Sequence, residues 1–364
     1  MNDFVPALLK EMERRSDYLG AATIGTIYLG GGTPSLLDPA ELNLILRRLG
    51  TLFVVQSNAE ITLEANPDDM TDRQKLKAWR SAGINRLSIG IQSFIDADLQ
   101  WMNRAHNAAQ AAESIQLAKK EGFDNISIDL IYGGPTLPDD HWHRNVAEAI
   151  RLRIPHLSCY ALTVEPRTAL DKLIRRNKKA DVSPDDQARQ LMLLMDWMAQ
   201  AGYEHYEISN FALPGHRSRH NSAYWQETPY LGLGPSAHSY DGWSREWNVA
   251  NNAGYIASLA AGTLPVAEKE ILTPVQQLNE YIMISLRTME GIDLAAIARR
   301  FGAATADDLQ KRAQPHIGRG TIRQTENLVL TNEGKLLADG IAADLFGEAG
   351  DPALSDAGVL RGDS

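Results

Sequence analysis

The chain has 364 residues and a formal net charge of −10, and it is 44% hydrophobic and 23% charged. That is an ordinary soluble globular composition for roughly two domains, and the acidity argues against nonspecific nucleic-acid binding as its main task. No apolar run reaches the ~18 residues of a membrane span and no signal peptide opens the chain. The single cysteine excludes internal disulfides and any cluster or zinc site needing several thiolates from this chain, and it suits a reducing cytoplasm.

Phe4, Leu8, Leu9 and Met12 recur at helical spacing and predict a helix over Phe4–Arg14, so the chain opens inside a βα unit without the strand that should precede it. The stretch TIYLGGGTPSL (Thr26–Leu36) follows. A β-branched and aromatic run stops at Gly30, Gly31 and Gly32, then Thr33 and Pro34. Consecutive glycines leave backbone N–H groups bare, a place for a charged or polar ligand to lie against the backbone; the plain alternative is a tight βα turn needing positive φ. Neither GxxxxGK[ST] nor GxGxxG is present, which excludes a P-loop and a Rossmann fingerprint. Asp38, Pro39 and Glu41 supply an N-cap, an N1 proline and a capping box. Leu42, Ile45, Leu46 and Leu49 then form one apolar face, and Gly50 is expected to close the helix.

Strands are expected at Ala59–Leu63, Arg86–Ile91, Asn125–Ile131 and His156–Leu162, and helices at about Asp72–Ala82, Ala108–Glu121, Asp140–Leu152 and Thr168–Asn177. A loop with Trp101, Arg104 and His106 precedes the second of these helices. A strand and a helix every ~30 residues mark parallel βα units. The fold class is therefore α/β, a partial (β/α)6 barrel lacking its first strand. Successive strands end on Gly30–Thr33, Glu64, Gln92, Asp129 and Ala161–Thr163, at the carboxyl ends where βα barrels carry their sites. Taken singly, Glu64 and Asp129 read as helix caps or salt-bridge partners; five such residues at equivalent places are harder to dismiss.

Ser183, Pro184 and Asp186 start a long helix, whose Met192, Met195 and Met198 read as core packing before a cofactor box. Gly202 ends it, and Tyr203–Ile208 reads as a further strand. Phe211–Ser239 reads as a long loop rich in glycine, proline and aromatics, with HNSAYW (His220–Trp225) and GLGPSAHS (Gly232–Ser239), able to cover one edge of a large flat ligand. From Ile271 onward, helices at Thr273–Met289 and Leu294–Phe301, a strand at Leu328–Thr331 and a helix at Lys335–Phe346 suggest a small winged-helix-like module, with no case for DNA binding. The tail after Gly347 reads as disordered. The expected domains are thus 1–210, the barrel; 211–270, the aromatic connecting region; 271–346, the helical module; and 347–364, the tail.

The stretches YLGGGTPSLL, TLEANPDD, GINRLSIGIQSF, LQWMNRAH, ISIDLIYGGP, HLSCYALT, HYEISNFA, HNSAYW and LGLGPSAHS, in that order, reach to about Phe346. Together they resemble the radical SAM proteins related to oxygen-independent coproporphyrinogen III dehydrogenase, and within them the haem chaperones of the HemW type. The resemblance implies that Gly31, Gly32, Thr33, Glu64, Gln92, Arg104, Asp129 and Ala161 occupy positions that bind S-adenosylmethionine. Backbone amides and Thr33 suit its methionine part, Glu64 and Asp129 a ribose hydroxyl or an ammonium, and Arg104 a carboxylate. The HNxxYW motif implies His220 as a ligand to haem iron, with Tyr224 and Trp225 as flat faces for the porphyrin. His238 is a weaker second candidate, and His141 and His143 read as surface residues. The implied partners are haem-acceptor proteins such as respiratory haemoproteins, with membrane association only through them, no nucleic acid, and a cytoplasmic location. The rival readings are a radical SAM oxidoreductase that decarboxylates coproporphyrinogen III propionates, and a cluster-less remnant with neither function.

The family's CxxxCxxC loop, whose thiolates hold a [4Fe–4S] cluster, is missing here. Cys159 sits mid-strand and reads as a packing residue. The favoured expectation is a start codon placed too far downstream; the alternative is a short protein that has lost the cluster. As written, the chain is expected not to cleave S-adenosylmethionine reductively. It is also expected to be poorly soluble, because a missing barrel strand exposes its neighbours' edges.

Overall fold

The computed structural model describes residues 3–176 and 179–348. They form two compact units, each discontinuous in sequence: residues 26–43 with 58–220, and, among the described residues, 3–25 with 44–57 and 221–348.

The first unit is built on a seven-stranded sheet. Its strands are β1 (Ile24–Leu29), β2 (Val55–Ala65), β3 (Arg86–Gln92), β4 (Asn125–Tyr132), β5 (His156–Ala161), β6 (Glu204–Glu207) and β7 (Asn210–Ala212), in the order β1-β2-β3-β4-β5-β7-β6. Strands β2 to β5 are parallel neighbours. Parallel neighbours need long crossovers, here the helices Arg73–Ser81, Ala108–Lys120 and Asp139–Arg151. Period-two alternation then sorts the side chains. One face of β3 and β4 carries Leu87, Ile89 and Ile91 with Ile126, Ile128 and Leu130, and the crossover helices bury Leu76, Trp79, Ile115, Trp142 and Val146. Each such side chain stabilises the fold by about 1.5–3 kcal/mol. The alternate positions are largely polar: Glu60, Thr62 and Glu64 on β2, Arg86, Ser88 and Gly90 on β3, Ser127 and Asp129 on β4, His156 and Ser158 on β5. Strand register pairs Glu64 with Ser88 and Asp129 with Ser158.

Several expected boundaries are corrected. The helix beginning at Pro39 runs through Gly50 to Leu52, since a glycine only weakens a helix by about 1 kcal/mol and does not by itself stop it. The loop before Arg104 contains the helix Asp96–Trp101. Tyr203–Ile208 does not continue the parallel repeat. The connection between β6 and β7 is too short for a crossover, so the two form an antiparallel pair, and β7 also runs antiparallel to β5. Asn177, the expected end of the helix at Thr168, lies outside the described residues; the helix observed is Ala169–Arg175, capped by the Thr168 side chain.

The second unit holds the helix Phe4–Arg14, a three-stranded antiparallel sheet of β8 (His238–Tyr240), β9 (Ser244–Asn248) and β10 (Val266–Ile271) in the order β10-β9-β8, and the helix Asn252–Ala260. Phe4 and Ala7 pack on Tyr255 and Leu259. Glu11 is fully buried and accepts hydrogen bonds from the Tyr255 hydroxyl (2.6 Å), the Gly234 N–H (2.8 Å) and the Asn248 side chain (2.7 Å). Arg15, also buried, pairs with Glu246 and lies 3.7 Å from Glu11. The GLGPSAHS stretch therefore wraps a buried carboxylate, and the expected long loop over Phe211–Ser239 instead contains β7, the helix Arg219–Trp225 and the start of β8. Helices Pro274–Leu286, Leu294–Phe301 and Ala303–Gly318 follow, then the hairpin β11 (Ile322–Gln324) and β12 (Leu328–Leu330). The expected last helix is two, Asn332–Lys335 and Ala338–Leu345. The tail read as disordered falls, from residue 349, outside the described residues.

Candidate functional site

The polar face of the barrel sheet converges on Glu64. Its Oε1 accepts the Tyr28 hydroxyl at 2.7 Å and its Oε2 accepts the Gly31 N–H at 3.2 Å, so one carboxylate at the end of β2 ties down the glycine loop that follows β1. Gly31 sits at φ +79°, the left-handed region that glycine adopts without penalty. Gly32 is exposed and Thr33 half-buried, and the loop is pinned on its far side by Ser35, whose hydroxyl donates to Asp69 at 2.7 Å. The Tyr28 hydroxyl is held protonated by burial and by the Glu64 carboxylate beside it.

The end of β3 is strained. Gln92 lies at φ +67°, unusual for a residue with a side chain, where the β3–β4 register slips. Non-glycine residues held there cost about 1–3 kcal/mol and collect at functional sites. Two devices hold the strand end in place. The buried His106 bonds the Ile91 carbonyl through Nε2 at 3.0 Å. Beyond it, Ser93, Asp98, Thr136 and Asn145 form a buried hydrogen-bonded set, in which burial raises the Asp98 carboxyl. The half-buried Arg104 donates to Asn66 Oδ1 (3.0 Å) and to the Gly90 carbonyl (3.2 Å). Gly90 sits close under these side chains: a Cβ there would stand 3.1 Å from Gln92, 3.2 Å from Asn66 and 3.3 Å from Arg104, so their ends would have to give by a few tenths of an ångström.

Asp129 faces this group from β4. Burial pushes its carboxyl up to about 7, the charge of Glu64 adds to the rise, and hydrogen bonding to Ser158 and the charge of Arg104 oppose it. Ala161 ends β5, paired in register with Tyr132. The structure thus brings Gly31, Glu64, Gln92, Arg104 and Asp129 to one end of the sheet, with Gly32 and Thr33 on the adjoining loop and Ala161 at the end of β5. Two carboxyls, one guanidinium and bare N–H groups suit a ligand that carries a cation, a carboxylate and hydroxyls.

His220 is not on a loop. It lies on the helix Arg219–Trp225, and its ring stacks on Tyr28 (centroids 4.7 Å apart, planes 17° apart). Its Nδ1 is 2.9 Å from the Thr26 hydroxyl, and its N–H donates to Glu60 at 3.1 Å. Burial pushes the imidazole down to about 4, so the ring is neutral at ordinary pH. Glu60 also stands 3.5 Å from Arg86, which donates to Ser127; Ser127 bonds His156, and His156 bonds the Tyr206 hydroxyl. Tyr224 and Trp225 belong to the second unit. There Tyr224 is 42% exposed and meets Tyr230 edge-on at 4.8 Å, and the indole N–H of Trp225 has no hydrogen-bond partner among the described residues. His238 stacks on Trp247 at 5.8 Å. His143 is exposed as expected, whereas His141 is half-buried with a buried ring nitrogen.

Thr26, Tyr28, Asn66, Gly90 and Ser158 join the site without having been singled out from the sequence. They emerge only from the strand register, which pairs Asp129 with Ser158 and brings Tyr28 to Glu64. The residues present do not fit a [4Fe–4S] cluster. Cys159 is 2% exposed with its thiol pushed up by burial, and no group of three or more potential metal-ligating side chains gathers among the described residues.

Residues 3–149 match the radical SAM superfamily model, and residues 272–337 match the HemN C-terminal domain. A Mycobacterium tuberculosis protein named heme chaperone HemW is 38% identical over 342 residues, 94% of this chain and 85% of that protein. The Bacillus subtilis protein of the same name is 32% identical over 350 residues, 96% of this chain and 92% of its own. A solved structure of coproporphyrinogen III oxidase (HemN) from Escherichia coli, described as a radical SAM enzyme, superposes with a TM-score of 0.81 at 23% identity, covering 95% of this chain and 83% of that one; it shares the fold. No helix among the described residues is long and apolar enough to cross a membrane. The chain belongs to the HemW heme chaperone family of radical SAM proteins.

Proposed function

We propose that the chain binds haem through the HNSAYW motif and hands it to acceptor haemoproteins, respiratory ones among them, while the strand ends hold S-adenosylmethionine. The observation that carries the haem reading is His220: a neutral imidazole, fixed by stacking on Tyr28 and by hydrogen bonding with Thr26. A neutral ring so oriented is the form that ligates iron. Tyr224 and Trp225 follow along the same helix and offer apolar faces to a porphyrin.

For S-adenosylmethionine, the Gly31–Thr33 backbone and Gln92 position the methionine part. Arg104 receives its carboxylate in a charge-assisted contact, Glu64 and Asp129 take the ammonium and a ribose hydroxyl, and Ala161 borders the site through its backbone. Reductive cleavage would require cluster thiolates, and the only cysteine in these 364 residues is Cys159; the HNSAYW motif fits haem delivery better than decarboxylation of coproporphyrinogen. The helices from Pro274 to Gly318 with the hairpin β11–β12 we read as a winged-helix-like module. The charge of −10 and the single buried cysteine support a cytoplasmic protein without a nucleic-acid partner.

The test is a haem titration followed in the Soret band. Wild-type protein is expected to saturate with a histidine-ligated spectrum, and His220→Ala to weaken binding at least ten-fold. An unchanged spectrum and affinity in the variant reject His220 as the ligand.

A further inference from the structure

One unbroken series of contacts runs from the glycine loop to His220. The Gly31 N–H donates to one oxygen of Glu64, the other oxygen accepts the Tyr28 hydroxyl, and the Tyr28 ring stacks on the imidazole of His220. Every group in the series belongs to the barrel unit. Neither end is anchored through Tyr28 alone. Ser35 pins the loop to Asp69, and Thr26 and Glu60 hold His220 at its ring and its backbone. Tyr28 is nevertheless the one side chain that touches both Glu64 and His220 in this series. Its position on β1 follows from alternation, which puts Thr26 and Tyr28 on the polar face, and the space it fills is kept open by Gly30, where a Cβ would come within 2.5 Å of the Tyr28 ring.

We propose that Tyr28 is a positioning residue that couples the two ligand sites, so that S-adenosylmethionine at the strand ends tightens haem binding at His220. The proposal rests on the functional reading above and adds the link between its two halves. A cationic ligand that engages Glu64 restricts the carboxylate. Glu64 in turn fixes the Tyr28 hydroxyl, and the stacked ring fixes the imidazole. Haem binding second then has less side-chain freedom to remove, which is positive cooperativity without a large movement. Such couplings amount to roughly five-fold or more, and linkage requires haem to tighten S-adenosylmethionine by the same factor.

The experiment is a pair of hemin titrations of the full chain, with and without saturating S-adenosylmethionine, for wild type and Tyr28→Phe. Phenylalanine keeps the stacked ring and loses only the hydroxyl that reaches Glu64. In wild type, S-adenosylmethionine should lower the hemin dissociation constant about five-fold or more; in Tyr28→Phe the ratio should fall to one, whatever happens to each affinity separately. If Tyr28→Phe does not fold, Tyr28→Leu, which removes the hydroxyl and the stacked ring and leaves Glu64 in place, takes the same ratio test, and its ratio should also fall to one. Wild-type protein that binds both ligands without coupling overturns this proposal and leaves the functional reading intact. Coupling that persists in the variant overturns the role of Tyr28. Failure of wild-type protein to bind either ligand overturns the functional reading and the coupling with it.

Discussion

The backbone of Gly30 passes so close to the carboxylate of Glu64 that a Cβ built on the glycine would stand 2.6 Å from Oε1. Its φ is not left-handed, so what requires glycine here is room. Gly30→Ala must push Tyr28 and Glu64 out of their hydrogen bond. Overpacking of this kind costs about 1–3 kcal/mol, which urea denaturation would show as a lower midpoint at unchanged slope. Affinity for S-adenosylmethionine should fall with it, by ten-fold or more in calorimetry.

Gln92 separates stability from binding. Gln92→Ala keeps the left-handed backbone strain and loses the amide, whereas Gln92→Gly loses both. The glycine variant is expected to be at least as stable as the alanine variant, by about 1 kcal/mol. Both should bind S-adenosylmethionine more weakly than wild type. Chemical denaturation and calorimetry on the two variants check the order; an alanine variant more stable than the glycine one would contradict it.

Asp129 gives a pH dependence of definite sign. Burial raises its carboxyl from 3.8 to about 7 in the folded protein, so between these values the folded state binds more protons than the unfolded state. The contribution to stability is full below pH 3.8 and is lost as pH rises through 7. Asp129→Asn removes the titration. The variant should gain stability relative to wild type at pH 8, by on the order of 1 kcal/mol or more, and much less at pH 5. Melting temperatures at the two pH values test this.

Arg15 is a stability residue in the second unit. Its guanidinium lies beside Glu11 and Glu246, and all three are buried. Arg15→Leu leaves Glu11 without its cation and Glu246 with only Lys269, 4.0 Å away, and breaking a buried pair from one side costs about 3–5 kcal/mol. Replacing Arg15, Glu11 and Glu246 together by apolar residues of similar size should cost less than the single change, a comparison that guanidinium unfolding of both variants can make.

Strands β3 and β4 were legible because each alternating apolar run begins just after a glycine that stops the preceding helix, Gly83 and Gly122, both at positive φ. Glu64, Gln92 and Asp129 were legible as polar strand ends. Tyr28 and Gly90 were not, because their importance appears only when the register lays neighbouring strands side by side. The second unit was harder to read for local reasons. Its strands β8 to β10 are short and carry charges such as Arg245, Glu268 and Lys269. The helix Ala303–Gly318 contains Pro315, and the helix Arg219–Trp225 is built from weak helix formers including His220, Asn221 and Trp225. In each case tertiary packing outweighs the local signal.

The burial of Cys159 has a practical consequence. A sole sulfhydryl that is 2% exposed and held protonated is nearly invisible to maleimides. The 364-residue chain is therefore a ready background for fluorescent labelling. A cysteine introduced at Leu36, 56% exposed just beyond the glycine loop, would carry the only reactive thiol, and a dye attached there would report ligand arrival by its emission.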